Sequence, residues 1–274
     1  MSAPAPLARR LPTRMVEKVW GREALPTPFV APQGQRIGEI WFEPPPQMPQ
    51  VLVKYLFTSQ KLSVQVHPSD TTALPGEAGK EECWLVLDAE ADARLAIGFE
   101  RPVTRAEIEA AALDGSIEQL LAWHTAKPGD LFYLPAGTVH AIGPGLALVE
   151  VQQTSDTTFR LYDYGRPREL HLERALAVAE GAPYPACRRR SIADGPVLVD
   201  GPHFRLDRIE GPPDPATLAA YRDAALVLPL AGEVTARDGS AHASAGECLL
   251  TTDLGALSFE ATGVTLLTRS GLKT

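Results

Sequence analysis

The chain has 274 residues, with 25 prolines and 22 glycines spread along its whole length and a formal net charge of −8. That spread excludes long helices and a disordered tail, and it points to many short strands joined by turns. The acidic balance is relieved only by Arg9-Arg10 and Arg188-Arg189-Arg190, which excludes nucleic acid as the expected partner. Cys83, Cys187 and Cys248 lie far apart with no CxxC pair, as expected of inert thiols in a reducing compartment. Met1 to Thr13 lacks the apolar core of a signal peptide, and no later stretch is long enough to span a membrane. A cytoplasmic protein with no membrane partner is expected.

Residues 1–14 read as a loose lead-in. Strands are expected at 37–42 and 51–58, separated by the stiff Pro44-Pro45-Pro46, which cannot join a ladder. Residues 61–67 alternate, with Leu62, Val64 and Val66 on one face and Ser63, Gln65 and His67 on the other. Further strands are expected at 82–88 and 94–99. Residues 104–124 then change character: Thr104 with Glu107 is a capping box, and Ile108, Ala111, Ala112, Ile117, Leu120 and Leu121 recur at helical spacing. Asp114-Gly115 divides that insertion into two short helices. Strands return near 130–134, 139–142, 146–153 and 158–162, followed by a helix over 169–180. The Pro-rich stretch 181–195 is the expected linker. Residues 196–274 read as a second, smaller β-unit.

The most informative segment is Gly129-x5-Pro135-x-Gly137-x2-His140. An apolar strand ends in a tight turn and presents one histidine at the start of the next strand. A side chain fixed there has the restricted freedom that a metal ligand needs. The spacing resembles the second conserved motif of the cupin β-barrels; the plain alternative is a hairpin with a surface histidine. Gln65 and His67, two apart on one strand, share a face. With Glu82 at the start of the next strand and His140, they form a mixed N/O set that suits Zn²⁺ ahead of Mn²⁺, Fe²⁺ or Co²⁺. Taken singly, His67-Pro68 is a common strand end and Glu82 could simply pair with Lys80. A second polar group, Glu150, Gln152, Ser155, Asp156 and Arg160, lies beyond; its plain reading is a hairpin with a Glu–Arg cross-strand pair.

The C-terminal unit carries a faint echo of the first. Ala245-Gly246-Glu247-Cys248-Leu249-Leu250 parallels Pro128-Gly129-Asp130-Leu131-Phe132-Tyr133, and Gly263 to Leu267 parallels Gly145 to Val149. No histidine stands in the second copy where His140 stands in the first. The expected fold is therefore mainly β: a cupin-type barrel (jelly roll) over residues 1–180 with a small helical insertion, then a degenerate cupin-like unit without metal ligands over 196–274.

Several motifs in order resemble the type I mannose-6-phosphate isomerases, closest to the short bacterial form. They are Leu62-Ser63-Val64-Gln65-Val66-His67-Pro68, Gly79-Lys80-Glu81-Glu82-Cys83-Trp84, Gly137 to Ile142, and Glu150 to Arg166. Val19-Trp20-Gly21 and Gly38-Glu39-Ile40-Trp41 resemble the family's opening, and the likeness covers about residues 15–180. It implies that Gln65, His67, Glu82 and His140 hold one zinc ion per chain. It also implies that Arg160 is the catalytic arginine and that Lys80 and Glu150 are active-site residues. Arg22 departs from the family's second glycine after Trp-Gly. The implied reaction interconverts mannose 6-phosphate and fructose 6-phosphate through a cis-enediol, in a monomer or weak homodimer. Isomerisation of another or an unphosphorylated sugar, and a non-catalytic sugar-sensing cupin, are the alternatives; an iron-dependent cupin dioxygenase would want more histidines. His124, His171, His203 and His242 are expected to be surface or structural.

Overall fold

The computed structural model of the protein describes residues 7–271, so the first six residues of the expected lead-in lie outside it. The rest of that lead-in is not loose: β1 (Ala8–Arg10) and the start of β2 (Thr13–Arg22) are strands, because each finds a distant sheet edge to pair with. Next come β3 (Ile37–Phe42), β4 (Val51–Phe57), β5 (Val64–Val66), β6 (Glu82–Ala89) and β7 (Arg94–Phe99). The expected capping box starts α1 (Arg105–Asp114), which stops at Gly115 and is followed by the short α2 (Ile117–Leu120). The last part of the expected helical range is instead β8 (Leu121–Thr125), drawn into register with β7 from Phe99↔Leu121 to Arg94↔Thr125. Four strands follow: β9 (Asp130–Leu134), β10 (His140–Ile142), β11 (Leu146–Gln153) and β12 (Phe159–Tyr162). The helix expected over 169–180 spans only α3 (Leu172–Val178).

Within 181–195 lies β13 (Arg189–Ser191). Beyond it are β14 (Val197–Asp200), β15 (Phe204–Glu210), α4 (Pro215–Ala220), β16 (Ala225–Ala231) and β17 (Glu233–Ala236). The chain closes with β18 (His242–Ser244), β19 (Leu249–Thr251), β20 (Leu257–Phe259) and β21 (Val264–Ser270). No helix among the described residues is long and apolar enough to cross a membrane.

The first barrel is built from a seven-stranded sheet, β13-β9-β6-β11-β4-β3-β2, and a five-stranded sheet, β12-β5-β10-β7-β8. The second unit has a six-stranded sheet, β1-β19-β16-β21-β15-β14, and a three-stranded one, β18-β17-β20. The first barrel's strands β4, β6 and β11 are buried on both faces, and strand alternation separates the two. Val53, Tyr55, Phe57, Cys83, Leu85, Val149 and Val151 point out into a core completed by Leu206, Leu226, Leu228 and Leu266 of the second unit. Leu56, Trp84, Val86 and Leu148 point into the barrel lumen. The other face of the five-stranded sheet is closed by Ile108, Ala112, Ile117, Ala175 and Leu176 of the helices. These layers leave one end of the lumen for polar groups.

A core shared by the two units implies shared unfolding. Phe57 is fully buried in it, so Phe57→Ala should cost about 3–5 kcal/mol. Urea unfolding should show one transition that the variant shifts as a whole. Two resolved transitions, only one of them shifted, would show that the units unfold independently.

Candidate active site and metal centre

His67, Glu82 and His140 are all buried, and their ligand atoms lie within 4.8 Å of one another. His140 Nε2 is 3.4 Å from Glu82 Oε1, and His67 Nε2 is 3.6 Å from Glu82 Oε2. Each element delivers its donor for a local reason. Glu82 opens β6, where alternation turns it inward beside Trp84. His140 opens β10 after a turn whose Gly137 holds φ at 85°, a conformation that favours glycine. His67 follows β5, whose Val64 and Val66 face the helices and leave Gln65 toward the lumen. The surface-hairpin alternative for His140 is excluded by its burial, 1% exposed.

Both imidazoles are fixed in tautomer. His67 Nδ1 donates to the carbonyl of Thr157 at 2.8 Å, and His140 Nδ1 donates to that of Thr138 at 2.9 Å. Since a carbonyl can only accept, each Nε2 carries its lone pair toward Glu82. Glu82 is buried, with one carboxylate oxygen toward each Nε2. Two oriented imidazole nitrogens and a buried carboxylate are a donor set that fits a divalent cation. The Gln65 amide borders the cluster, with its nitrogen 3.2 Å from His140 Nε2 and its oxygen accepting from Ser63 Oγ at 2.9 Å. Ligation through oxygen requires that amide turned over.

Lys80 stands against the cluster, its Nζ 3.0 Å from Glu82 Oε2 and 3.2 Å from His67 Nε2. Glu150 projects into the same lumen from β11; its Oε1 lies 3.0 Å from Lys54 Nζ and 3.8 Å from Lys80 Nζ, and its Oε2 accepts from Trp84 Nε1 at 3.0 Å. Arg160 does not pair with Glu150. Their strands belong to different sheets, β12 pairing with β5 so that Arg160 sits opposite Gln65, and the hairpin reading fails for that reason. Arg160 lines a cavity of about 270 Å³ together with Gln65, Lys80, Glu82, Glu150 and Arg168, and its Nε is buried without a partner. His171 is structural, its Nδ1 accepting from the Arg160 backbone N–H at 3.2 Å.

Burial pushes both imidazoles below their ordinary value of 6.5, most strongly His67, where Lys80 adds to the effect. Burial works against ionisation of Glu82 as well, yet the Lys80 ammonium holds its carboxyl well below the usual range. Neutral imidazoles beside an ionised carboxylate are the protonation states that metal binding demands. Glu150 differs: burial raises its carboxyl, and Lys54 only partly opposes this.

Sequence reading missed Lys54 and its partner Glu39. Lys54 is buried, paired to Glu39 at 3.2 Å as well as to Glu150, and Lys18 holds the other Glu39 oxygen at 3.1 Å. The signal was present: a lone lysine inside Val51-Leu52-Val53-Lys54-Tyr55-Leu56-Phe57, and a lone glutamate inside Ile37–Phe42, are charges at inward-facing positions of buried strands.

Fold and site together define a cupin-type barrel with a buried His–Glu–His cluster at one end of its lumen. No family model matches the chain. Over 139 residues it is 46% identical to the mannose-6-phosphate isomerase ManA of Bacillus subtilis (strain 168), covering 47% of this chain and 44% of that protein. Over 168 residues it is 40% identical to the mannose-6-phosphate isomerase of Streptococcus mutans serotype c (strain ATCC 700610 / UA159), covering 57% and 53%. The chain thus spans about half the length of the curated relatives it matches. The solved mannose 6-phosphate isomerase of Bacillus subtilis superposes with a TM-score of 0.78 at 23% identity, covering 96% of this chain and all of that one. The resemblance read from the motifs is borne out, and the fold is that of the phosphomannose isomerases.

The imidazole environment sets a pH dependence for the metal-free protein. Imidazoles whose folded value is depressed stabilise the fold above about 6.5, the ordinary value, and that contribution is lost as pH falls below it. His67→Gln should therefore flatten the loss of unfolding free energy just below that pH, by up to about 1.4 kcal/mol per pH unit. Urea denaturation at a series of pH values checks this; parallel slopes for parent and variant would mean that His67 is not held neutral.

Proposed function

We propose that this chain is a zinc-dependent aldose–ketose isomerase that interconverts mannose 6-phosphate and fructose 6-phosphate through a cis-enediol. The observation that carries the reading is the buried Glu150 carboxylate, held between two lysines in the same cavity as the His–Glu–His cluster. Gln65, His67, Glu82 and His140 would hold one zinc ion, which when bound would supply the positive charge that polarises the sugar's C1 and C2 oxygens. The chain's own groups do the rest. The reaction removes the proton on C2 of the aldose and returns one to C1. Glu150 is the candidate base: Trp84 and Lys54 fix its orientation, and its raised carboxyl can both take and return a proton. Arg160 brings an unpartnered guanidinium nitrogen to the cavity, suited to the developing enediolate or to the phosphate. Lys80 is placed to hold phosphate or to assist proton transfer.

Arg14, Lys18, Arg160 and Arg168 all line the cavity, which favours a phosphorylated sugar over a neutral one. A sugar sensor needs no base, and a dioxygenase would want a histidine-richer centre. We place the reaction in residues 1–180, with 196–274 as the C-terminal unit and 181–195, whose β13 completes the first barrel's sheet, joining the two, in a cytoplasmic monomer or weak homodimer.

The deciding assay follows fructose 6-phosphate formed from mannose 6-phosphate by the protein as purified, after chelation, and after zinc is restored. Activity should vanish and return; absence of activity in every state, with zinc bound, would overturn the substrate assignment. Arg160→Ala should lower kcat by about 10²–10³-fold with zinc content unchanged, and turnover at the parent rate would remove Arg160 from the chemistry. His140→Ala should lose the zinc, and full zinc content in that variant would remove His140 from the ligand set.

A further inference from the structure

Glu82 and Lys80 depend on a stretch of backbone with no secondary structure before β6. The loop 68–81 leaves the barrel immediately after His67 and re-enters immediately before Glu82. Its two ends are brought together at one place. Asp70 Oδ1 accepts from the Gly79 N–H at 2.8 Å and from Gln153 Nε2 at 3.1 Å. Gln153 Oε1 accepts from the Glu81 N–H at 2.9 Å, and the Gln153 N–H donates to the Glu81 carbonyl at 3.0 Å. Lys80 N–H donates to the Pro68 carbonyl at 2.9 Å between them. Gly79 lies so close to Ser69 and Asp70 that a Cβ there would stand 2.5 Å from the Asp70 nitrogen, so the two ends touch backbone to backbone.

We infer that Asp70 and Gln153 are positioning residues, a side-chain clamp that sets where Lys80 and Glu82 stand relative to His67. The inference rests on the reading of His67, Glu82 and His140 as a metal site. Neither clamp residue can take part in the chemistry directly. Glu150 and Gln152 face inward along β11, so strand alternation turns Gln153 away from the lumen. Neither Asp70 nor Gln153 lines the site cavity. The clamp is also where the second unit meets the site. His203 Nδ1 lies 3.7 Å from Asp70 Oδ2, and Gly201 packs against the Glu81 carboxylate and the Tyr133 hydroxyl. Outer groups that orient a ligand-bearing segment typically change metal affinity by about 10–100-fold when removed.

The hydrogen-bond pattern offers its own rescue. In Gln153→Glu the new carboxylate faces Asp70 and repels it. Adding Asp70→Asn removes the repulsion: its oxygen, in the place of Oδ1, keeps the Gly79 N–H, and its nitrogen, in the place of Oδ2 at 3.3 Å, donates to the glutamate, which still accepts from Glu81. Zinc affinity by chelator competition, and amide exchange of residues 78–82 in the metal-free protein, should be compared in four proteins: parent, Gln153→Leu, Gln153→Glu, and the Asp70→Asn/Gln153→Glu pair. The two single variants should bind zinc about tenfold more weakly and exchange those amides faster, and the pair should recover both. Parent-like exchange in the single variants, or faster exchange with parent-like zinc affinity, would overturn the clamp, as would failure of the pair to recover. If the parent binds no zinc, the reading of the site is lost, and exchange with its recovery in the pair decides the clamp alone.

Discussion

Charge that is buried must be paired, and in this barrel the pairing runs as a row. Lys18, Glu39, Lys54, Glu150, Lys80 and Glu82 stand in sequence, with neighbours 3.0–3.8 Å apart. Each interior member touches one partner on either side, so removing one takes a partner from both of its neighbours. Such a break typically costs about 3–5 kcal/mol, far more than an exposed pair is worth. The row therefore fixes the rotamers of Glu150 and Lys80 before any substrate arrives, which is the preorganisation that proton transfer and charge stabilisation require. It also explains the opposite displacements of two neighbouring carboxyls. Glu82 has the Lys80 ammonium beside it and stays ionised, whereas Glu150 is raised by burial and feels Glu82 and Glu39 as well as its lysines.

The row is internally neutral, three lysines against three glutamates. Arg14, Arg160 and Arg168 line the same cavity, and Asp156 and Asp163 only partly offset them, so the cavity carries an excess of positive charge. That excess is complementary to the phosphate and enediolate of the proposed reaction.

Much of the site was legible in the sequence because Glu82 and His140 open strands and His67 directly follows one, where alternation and turn chemistry constrain them. Gln65 and His67 share a face by period two, and Gly137 marks the turn that presents His140. What escaped was set by tertiary pairing. β1 and the start of β2 read as a lead-in because their polar, arginine-bearing sequences gain strand character only from distant sheet edges. Residues 121–125 follow a helical pattern until their pairing with β7 overrides it. Lys54 went unread because a single charge in an apolar strand looks like an edge feature until the second unit covers the strand's other face.

The echo between the two halves, faint in sequence, is plain in sheet order. β9-β6-β11-β4-β3 of the first barrel matches β19-β16-β21-β15-β14 of the second, and β10-β7-β8 matches β20-β17-β18. The helical insertion of the first is only a short turn between β17 and β18 in the second. At the register of Glu82, which pairs with Leu134, the second unit has Ala225, which pairs with Thr251. Where loop 68–81 brings in Lys80, α4 brings Tyr221, fully buried and donating from its hydroxyl to the Leu267 carbonyl. An alanine and a tyrosine fill with packing what the first barrel leaves open for chemistry. The edges are exchanged as well: β1, from before the first barrel, completes the sheet of the second, and β13, from after it, completes the sheet of the first. The second unit's sheet covers the outward faces of β4, β6 and β11, whose inward faces carry Lys54, Glu82 and Glu150.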